Sequence, residues 1–477
     1  MTFVGKMSFE TVFSNEVFMN VLLLGNGFDI NCGLPTKYIN FLQIVDFIDR
    51  HRKKYMTVGE LFKAILEENP ESSVASFYNK EKQELMDIYD SIEIDNKNLQ
   101  NILTIKSKDK TNDIRNNTWF SYFLKNHLTD MNWVGFEREM EQVLIDTNKY
   151  REITNGYMDE LAKYCDPEYP KNDVAQSPEC RRIVNELKTF NIPLMCYCYS
   201  YCNGHKTIES TKYESKNCNY LKSVEDTQII QWDNIYKHLE EERLDLVHVF
   251  KNYLTYFVEK ISDDSAFITY ANKQSVFLSE FSLSDIVISF NYTKTFEKIS
   301  LRLLDYNGQQ IDPSKGPIRC FHIHGRVDDE NIVMGIKPSD DMIEPLHFQK
   351  DVQRFRYGTN SNCIAWLRNN EKVSVNRLTV MGCSLDVTDG DIIKKLFYKS
   401  HRIRLVYYGD DDALYCKNIK SILGTDGLEN LQERFIFKDV DCCKIEYSDS
   451  KNKHNKKYVL YTPGTLGQPP KITYQTQ

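Results

Sequence analysis

The hydrophobic positions of this chain fall into two regimes. Near the N-terminus Val21-Leu22-Leu23-Leu24 is an unbroken apolar run, the pattern of a strand buried on both faces. Residues 36–50 then carry Tyr38, Phe41, Leu42, Val45 and Ile48 near a 3.6-residue period, which predicts a helix. From about residue 50 to about residue 280 the strand–helix rhythm stops. Segments 57–68, 118–129, 134–149 and 236–261 carry apolar residues at helix spacing, with Leu244, Leu246, Phe250, Leu254, Phe257 and Ile261 the clearest stripe. The polar stretches 94–117 and 203–228 read as loops. The rhythm returns with strands at Asp285–Phe290, Ile318–Ile323, Ile332–Ile336, Leu378–Met381 and Ile403–Tyr408, and helices at 293–304 and 389–399. A parallel sheet joining the first strand to these later ones requires a long excursion between them. The predicted fold is therefore α/β: a discontinuous Rossmann-type parallel-sheet domain from residues 19–50 plus 281–445, a mostly helical insertion over 51–280, and a C-terminal tail at 446–477.

Composition narrows the classes of function. The 477 residues carry a net charge of -8 and show no Lys/Arg stripe, so general nucleic-acid binding is not expected. No apolar run reaches bilayer-spanning length. The first residues offer Glu10 and Asn15 and no small-residue cleavage site, so a signal peptide is not expected and cytoplasm is the default. Met7 and Met19 are alternative starts. Thirteen cysteines without a secretion signal predict reduced thiols. One cluster, Cys196-x-Cys198-x3-Cys202-x2-His205 with Cys218 beyond it, has the ligand types for zinc. Its C-x-C spacing is unusual for a structural site, and ordinary thiols are expected there.

Four motifs each follow a predicted strand, where open α/β sheets bind their ligands. The first is Gly25-Asn26-Gly27-Phe28-Asp29, continuing to Gly33-Leu34-Pro35-Thr36: glycines for a tight turn and for backbone approach to a diphosphate, then a helix N-terminus. Its third glycine is displaced from the common dinucleotide fingerprint. The second, Ser289-Phe290-Asn291-Tyr292-Thr293, puts at Asn291 both a carbonyl and an amide donor suited to a ribose or a water, unless that residue only caps the next helix. In the third, Phe321-His322-Ile323-His324-Gly325, alternation sets both histidines on one strand face, and a ring that titrates near neutrality suits a base. With no carboxylate or third His at supporting spacing, no metal is expected there. The fourth, Met381-Gly382-Cys383-Ser384-Leu385-Asp386-Val387, offers close approach at Gly382 and a hydroxyl at Ser384. A nucleophile elbow is excluded because Asp386 stands where its second glycine would be.

Taken together these segments resemble the sirtuin motif set. Gly25, Gly27, Gly33 and Pro35 fall on fixed positions of G-A-G-x-S-x-x-x-G-I-P-D-F, Asn291 on the asparagine of T-x-N-x-D, His324-Gly325 on the H-G pair, and Gly382 and Ser384 on G-T-S-L-x-V. Asp29, Thr36 and Thr293 depart from it. The N-G-F-D spelling with G-L-P-T-x-Y, and F-N-Y-T later, resembles the AbiH family of bacteriophage abortive-infection proteins. Trp133 and Glu137 are similar to a W-x-x-x-E element of that family. The resemblance spans roughly residues 20–42 and 284–410.

What the resemblance implies is a sirtuin-like domain that holds NAD as a substrate. The expected function is an antiphage effector that hydrolyses NAD to nicotinamide and ADP-ribose. Asn291 and His324 are the expected catalytic residues; Gly25, Asn26, Gly27, Asp29, Gly33, Pro35, Thr36, Gly382 and Ser384 are the expected binding residues. The alternatives are a nucleotide-binding phage sensor or scaffold without catalysis, and an ADP-ribosyltransferase. Sirtuin deacylases carry a four-cysteine zinc module between the H-G and G-x-S-L motifs. That interval here holds only Cys363, so deacylation is disfavoured. A phage-derived trigger protein and a homo-oligomer are the expected partners, with the helical region or an assembly interface restraining the site.

Overall fold

A computed structural model describes residues 17–106, 114–126, 133–156, 178–202, 205–214, 220–224, 227–274, 284–300, 319–337, 345–359, 363, 373–407, 412–439, 457–462 and 471–476. In chain order its strands are β1 (Val17–Leu24), β2 (Leu194–Cys202), β3 (His205–Glu214), β4 (Leu221–Val224), β5 (Thr227–Ile230), β6 (Ile286–Ser289), β7 (Arg319–His322), β8 (Val373–Met381), β9 (Ser400–Tyr407), β10 (Phe435–Asp439), β11 (Lys457–Thr462) and β12 (Lys471–Thr476). Six of them form one all-parallel sheet in the order β10-β9-β8-β1-β6-β7. The first of the described strands thus lies in the interior of the sheet, between β6 and β8.

That position explains the apolar run. Leu22 and Leu24 point into one core and Val21 and Leu23 into another, so every side chain of the run is buried. The second core is closed by the helix Gly390–Lys399, through Ile392, Ile393, Leu396 and Phe397, and by Asp412–Leu431, through Ile419, Ile422, Leu423 and Leu431. The first core is closed by Tyr38–His51 and the helical segment. Phe120, Phe123, Phe136, Phe250 and Tyr253 of that segment pack around Tyr38 and Phe41. The excursion is consequently packed onto one face of the sheet through a continuous core.

Several local expectations are revised. Residues 94–117 include a helix at Asn96–Ile102, and 203–228 includes β3 and the β4–β5 hairpin. The stretch Ile332–Ile336 is buried but not a strand; it makes one isolated bridge, Ile336 to Gln349. Its apolarity reflects burial beneath Phe348 and Arg243, whose Nη1 donates to the Met334 carbonyl at 3.0 Å. The stripe at 236–261 is a helix, Trp232–Tyr253, that passes through a π-helical turn at Leu254–Val258 into Glu259–Ser262. Cys196, Cys198 and Cys202 lie on β2 and His205 on β3, with Cys202 paired to His205 in register. Their side chains, and Cys218 altogether, lie outside the described residues. Among the described residues no helix is long and apolar enough to cross a membrane.

Candidate functional site at the carboxyl edge of the sheet

Parallel register brings the four motifs to one edge. Leu24 pairs with both Ser289 and Met381, and Ser289 pairs with His322, so the loops leaving β1, β6, β7 and β8 rise side by side.

The glycines of the first and fourth motifs meet each other. The Gly25 N–H donates to the Met381 carbonyl at 3.0 Å, and the Gly27 N–H to the Gly382 carbonyl at 2.8 Å. A Cβ on Gly27 would stand 2.8 Å from Gly382 Cα, and one on Gly25 2.5 Å from Cys383 Cα. The space these glycines leave is filled by the neighbouring loop, and two backbone donors of the G-x-G turn are spent on it. Asn26 fastens the turn to its own continuation, its Nδ2 donating to the Thr36 carbonyl at 3.0 Å. Gly33 and Pro35 are held from the helical segment: the buried hydroxyls of Tyr89 and Tyr253 donate to their carbonyls. Ser384 is exposed, and its carbonyl accepts from Asn418 Nδ2 at 2.8 Å.

Beneath the turn lie the buried polar groups. Asp29 Oδ2 accepts from Thr293 Oγ1 at 2.6 Å, and Thr295 donates on to Thr293 at 3.1 Å. Burial raises the Asp29 pKa to about 7 against the lowering pull of those hydroxyls; Glu259 and Glu297 raise it further. Asp29 Oδ1 and Asn291 Oδ1 are buried and have no hydrogen-bond partner among the described residues. Asn291 does not cap the helix Thr295–Ser300; Glu259 Oε1 accepts from the Lys294 N–H at 3.0 Å instead. Thr293, where the resemblance would put an acid, thus serves as a hydrogen-bond donor to an acid from the first motif.

The two histidines diverge because β7 ends at His322. His322 Nδ1 faces the Asn291 carbonyl at 2.9 Å and its Nε2 faces Glu297 Oε1 at 2.6 Å, with Cys320 Sγ 3.6 Å from the same nitrogen. Burial disfavours a charged ring there, but Cys320 and Glu297 outweigh it and push the His322 pKa to about 11. His324 stacks on Phe290; its Nδ1 faces the Phe290 carbonyl at 3.2 Å and its Nε2 meets Asp389 Oδ1 at 2.8 Å. Both of its nitrogens are therefore engaged by the protein. Burial lowers the His324 pKa, Asp389 opposes that, and Lys350 and Arg354 add to the lowering.

Asp389 is the hub of an ion cluster that the sequence did not reveal. Lys350 Nζ lies 3.1 Å from Asp389 Oδ2 and 2.7 Å from Glu137 Oε1, and Arg354 spans Asp389 and Asp391 at 3.4 and 2.7 Å. Burial favours the neutral acid at Asp389, yet His324, Lys350 and Arg354 together hold its carboxyl well below the ordinary range. At Glu137 burial prevails over Lys350 and raises the pKa to about 7. Next to Glu137, Arg138 Nη2 reaches Asp386 Oδ2 at 2.7 Å. The helical segment touches the loop after β8 through both residues, Arg138 at Asp386 and Glu137 by a hydrogen bond with the Thr388 side chain. Trp133 opens the same helix, Trp133–Gly156, with its side chain outside the described residues.

The raised Asp29 pKa has a consequence for stability. Unfolded, this carboxyl titrates near its ordinary value of 3.8. The fold favours its protonated form, so that contribution is full below about pH 4 and is lost as pH rises through about 7. Asp29→Asn, uncharged throughout, is expected to melt higher than the parent at pH 8 and to narrow the difference between pH 5 and pH 8. Glu137 titrates in the same window in both proteins, so the difference between them isolates Asp29. Equal slopes in parent and variant would show that Asp29 ionises without penalty.

Comparison with known proteins returns no match among curated proteins and none among solved structures. One family model, described as bacteriophage abortive infection AbiH, matches residues 21–408, from β1 through β9 and all four strand-end loops. With that match covering most of its length, the chain belongs to the AbiH family of bacteriophage abortive-infection proteins.

Proposed function

We propose that this protein is the effector of an abortive-infection response and that it hydrolyses the bond between nicotinamide and ribose in NAD. The observation that carries this reading is the pair of buried oxygens without hydrogen-bond partners among the described residues, Asp29 Oδ1 on the short helix Asn26–Asn31 after β1 and Asn291 Oδ1 on the loop after the adjacent parallel strand β6. The order of the sirtuin-like motifs along the chain supports it. Nicotinamide departs as a neutral molecule, so the enzyme must hold the ribose, stabilise an oxocarbenium-like centre and deliver water. Asn291 Oδ1 would accept from a ribose hydroxyl or the attacking water. Asp29, with its pKa about 7, would take the water proton, a role for which His324 has no disengaged nitrogen. NAD and water then give nicotinamide, ADP-ribose and a proton. The diphosphate would meet Asn26 and Ser384, which are partly and wholly exposed, and not the committed N–H groups of Gly25 and Gly27.

A second reading, a nucleotide-binding phage sensor without catalysis, is favoured by those committed N–H groups and by the closed state of Asp29, Asn291 and His324, which are 1%, 5% and 6% exposed. Turnover separates the two. Asn291→Ala and Asp29→Asn are expected to release nicotinamide about 10²–10⁴-fold more slowly with the fold retained. Absence of nicotinamide from the parent in vitro, together with unchanged NAD in phage-infected cells, would leave the sensor. Labelled protein or nucleic acid in place of free ADP-ribose would make it a transferase.

A further inference from the structure

We infer that Glu297, Cys320 and His322 form a binding site for one zinc ion beside the Asn291 loop. The three residues come from the helix Thr295–Ser300 and from β7, and their ligand atoms all lie within 4.8 Å of one another. Cys320 and His322 are two apart on β7, so the strand presents them on the same face.

Three features of the geometry favour an ion over a hydrogen-bonded cluster. Cys320 Sγ and His322 Nε2 stand 3.6 Å apart. The edge of a tetrahedron built from usual zinc–sulfur and zinc–nitrogen bonds is roughly 3.5 Å, so these two ligands already stand at coordinating separation. His322 Nδ1 faces the Asn291 carbonyl at 2.9 Å, so Nδ1 keeps its proton while Nε2 releases its own to solvent as it takes the ion. Such outer hydrogen bonds orient metal-binding histidines generally. Finally, Glu297 Oε2 is buried without a hydrogen-bond partner among the described residues, an acceptor that the protein leaves unanswered. Glu297 Oε1, 2.6 Å from Nε2, would have to retreat by about 0.7 Å to admit the ion, a small rotation on a six-residue helix. The nearby guanidinium of Arg326 is offset by Asp328 and Asp329 at 3.9 and 3.6 Å.

One thiolate, one imidazole and one carboxylate form a borderline-soft set that suits zinc better than magnesium or calcium. Three protein ligands leave the fourth position to a water or another oxygen donor. On this strand the sequence suggests only the pair His322 and His324 as metal ligands. The structure sends His324 to Asp389 and gives His322 a cysteine and a carboxylate instead.

The inference stands apart from NAD cleavage, and its test reads metal alone. The full chain would be studied with Cys196, Cys198 and Cys202 changed to serine, so that the β2–β3 thiols contribute nothing. After dialysis against zinc and then metal-free buffer, this protein is expected to retain about one equivalent, and Cys320→Ala and His322→Ala close to none. Glu297→Gln is expected to bind zinc at least about 10-fold more weakly in competition with a chromophoric chelator. Cobalt in place of zinc should give a thiolate charge-transfer band that vanishes in Cys320→Ala. Equal metal content in the parent and Cys320→Ala would overturn the site. Should the alanine variants fail to fold, the parent decides by itself: no retained zinc and no thiolate–cobalt band would equally overturn it.

Discussion

Gly382→Val is expected to abolish folding, while Ser384→Ala, two residues away, leaves the fold intact. Gly382 has φ of +62°, a region that a β-branched residue enters only under strain. Any Cβ at this position would also press on the backbone nitrogen of Phe28 and the carbonyl carbon of Gly27. Those atoms belong to the turn leaving β1, and no side-chain rotation can move them aside. Gly27→Val should fail for the reciprocal reason, since its Cβ would meet the Gly382 backbone. The measurement is soluble yield with the melting profile of whatever protein is recovered. A folded Gly27→Val that had merely lost nucleotide affinity would overturn this account, because the diphosphate-cradle explanation predicts that result. The same glycine is thus either a packing residue or a ligand residue, and one variant decides.

Lys350→Met is expected to cost about 3–5 kcal/mol, the usual penalty for leaving buried charge unpaired. The ammonium is 1% exposed and lies between Glu137 and Asp389; without it two acids confront one another in the interior. Arg354 and His324 still reach Asp389, so Glu137 bears most of the loss. Adding Glu137→Gln to Lys350→Met should recover part of the stability, although Glu137→Gln in the parent should lower it. Urea midpoints of the four proteins make the cycle, and a purely additive result would mean that the two groups do not interact. The sign carries information about architecture, since Glu137 belongs to the helical segment and Asp389 to the loop after β8.

The sheet was legible in sequence where burial on both faces wrote it as unbroken apolar runs, as in β1, β6 and the end of β8. The edge strand β10, Phe435–Asp439, pairs on one side only and went unread. The strand β3 went unread as well, because its Lys, Thr, Glu and Ser residues resemble a loop. Ile332–Ile336 erred in the other direction, since apolarity reports burial and not backbone shape. At the site, strand-end placement was enough to single out Asp29, Asn291 and His324. It could not supply their partners: Thr293 lies 264 positions from Asp29, and Asp389 lies 65 from His324. Spacing along a chain carries no signal for such pairs. Gly25, Gly27 and Gly382 were legible as points of close backbone approach, and in the structure two loops approach each other there.

The place of β1 between β6 and β8 sets a schedule for synthesis. Leu24 leaves the ribosome long before its neighbours: Ser289 follows roughly 260 positions later and Met381 roughly 360. At about 5–20 residues per second the second interval lasts roughly 20–70 s. For roughly the first 13–53 s of it β1 has no neighbouring strand of the sheet beside it, and until its end the Gly25–Gly27 turn has no loop against which to close. Asp389, which completes the surroundings of His324, emerges later still. A nascent or truncated chain ending before β8 therefore carries Asp29 and Asn291 without the loop that packs against the Gly25–Gly27 turn.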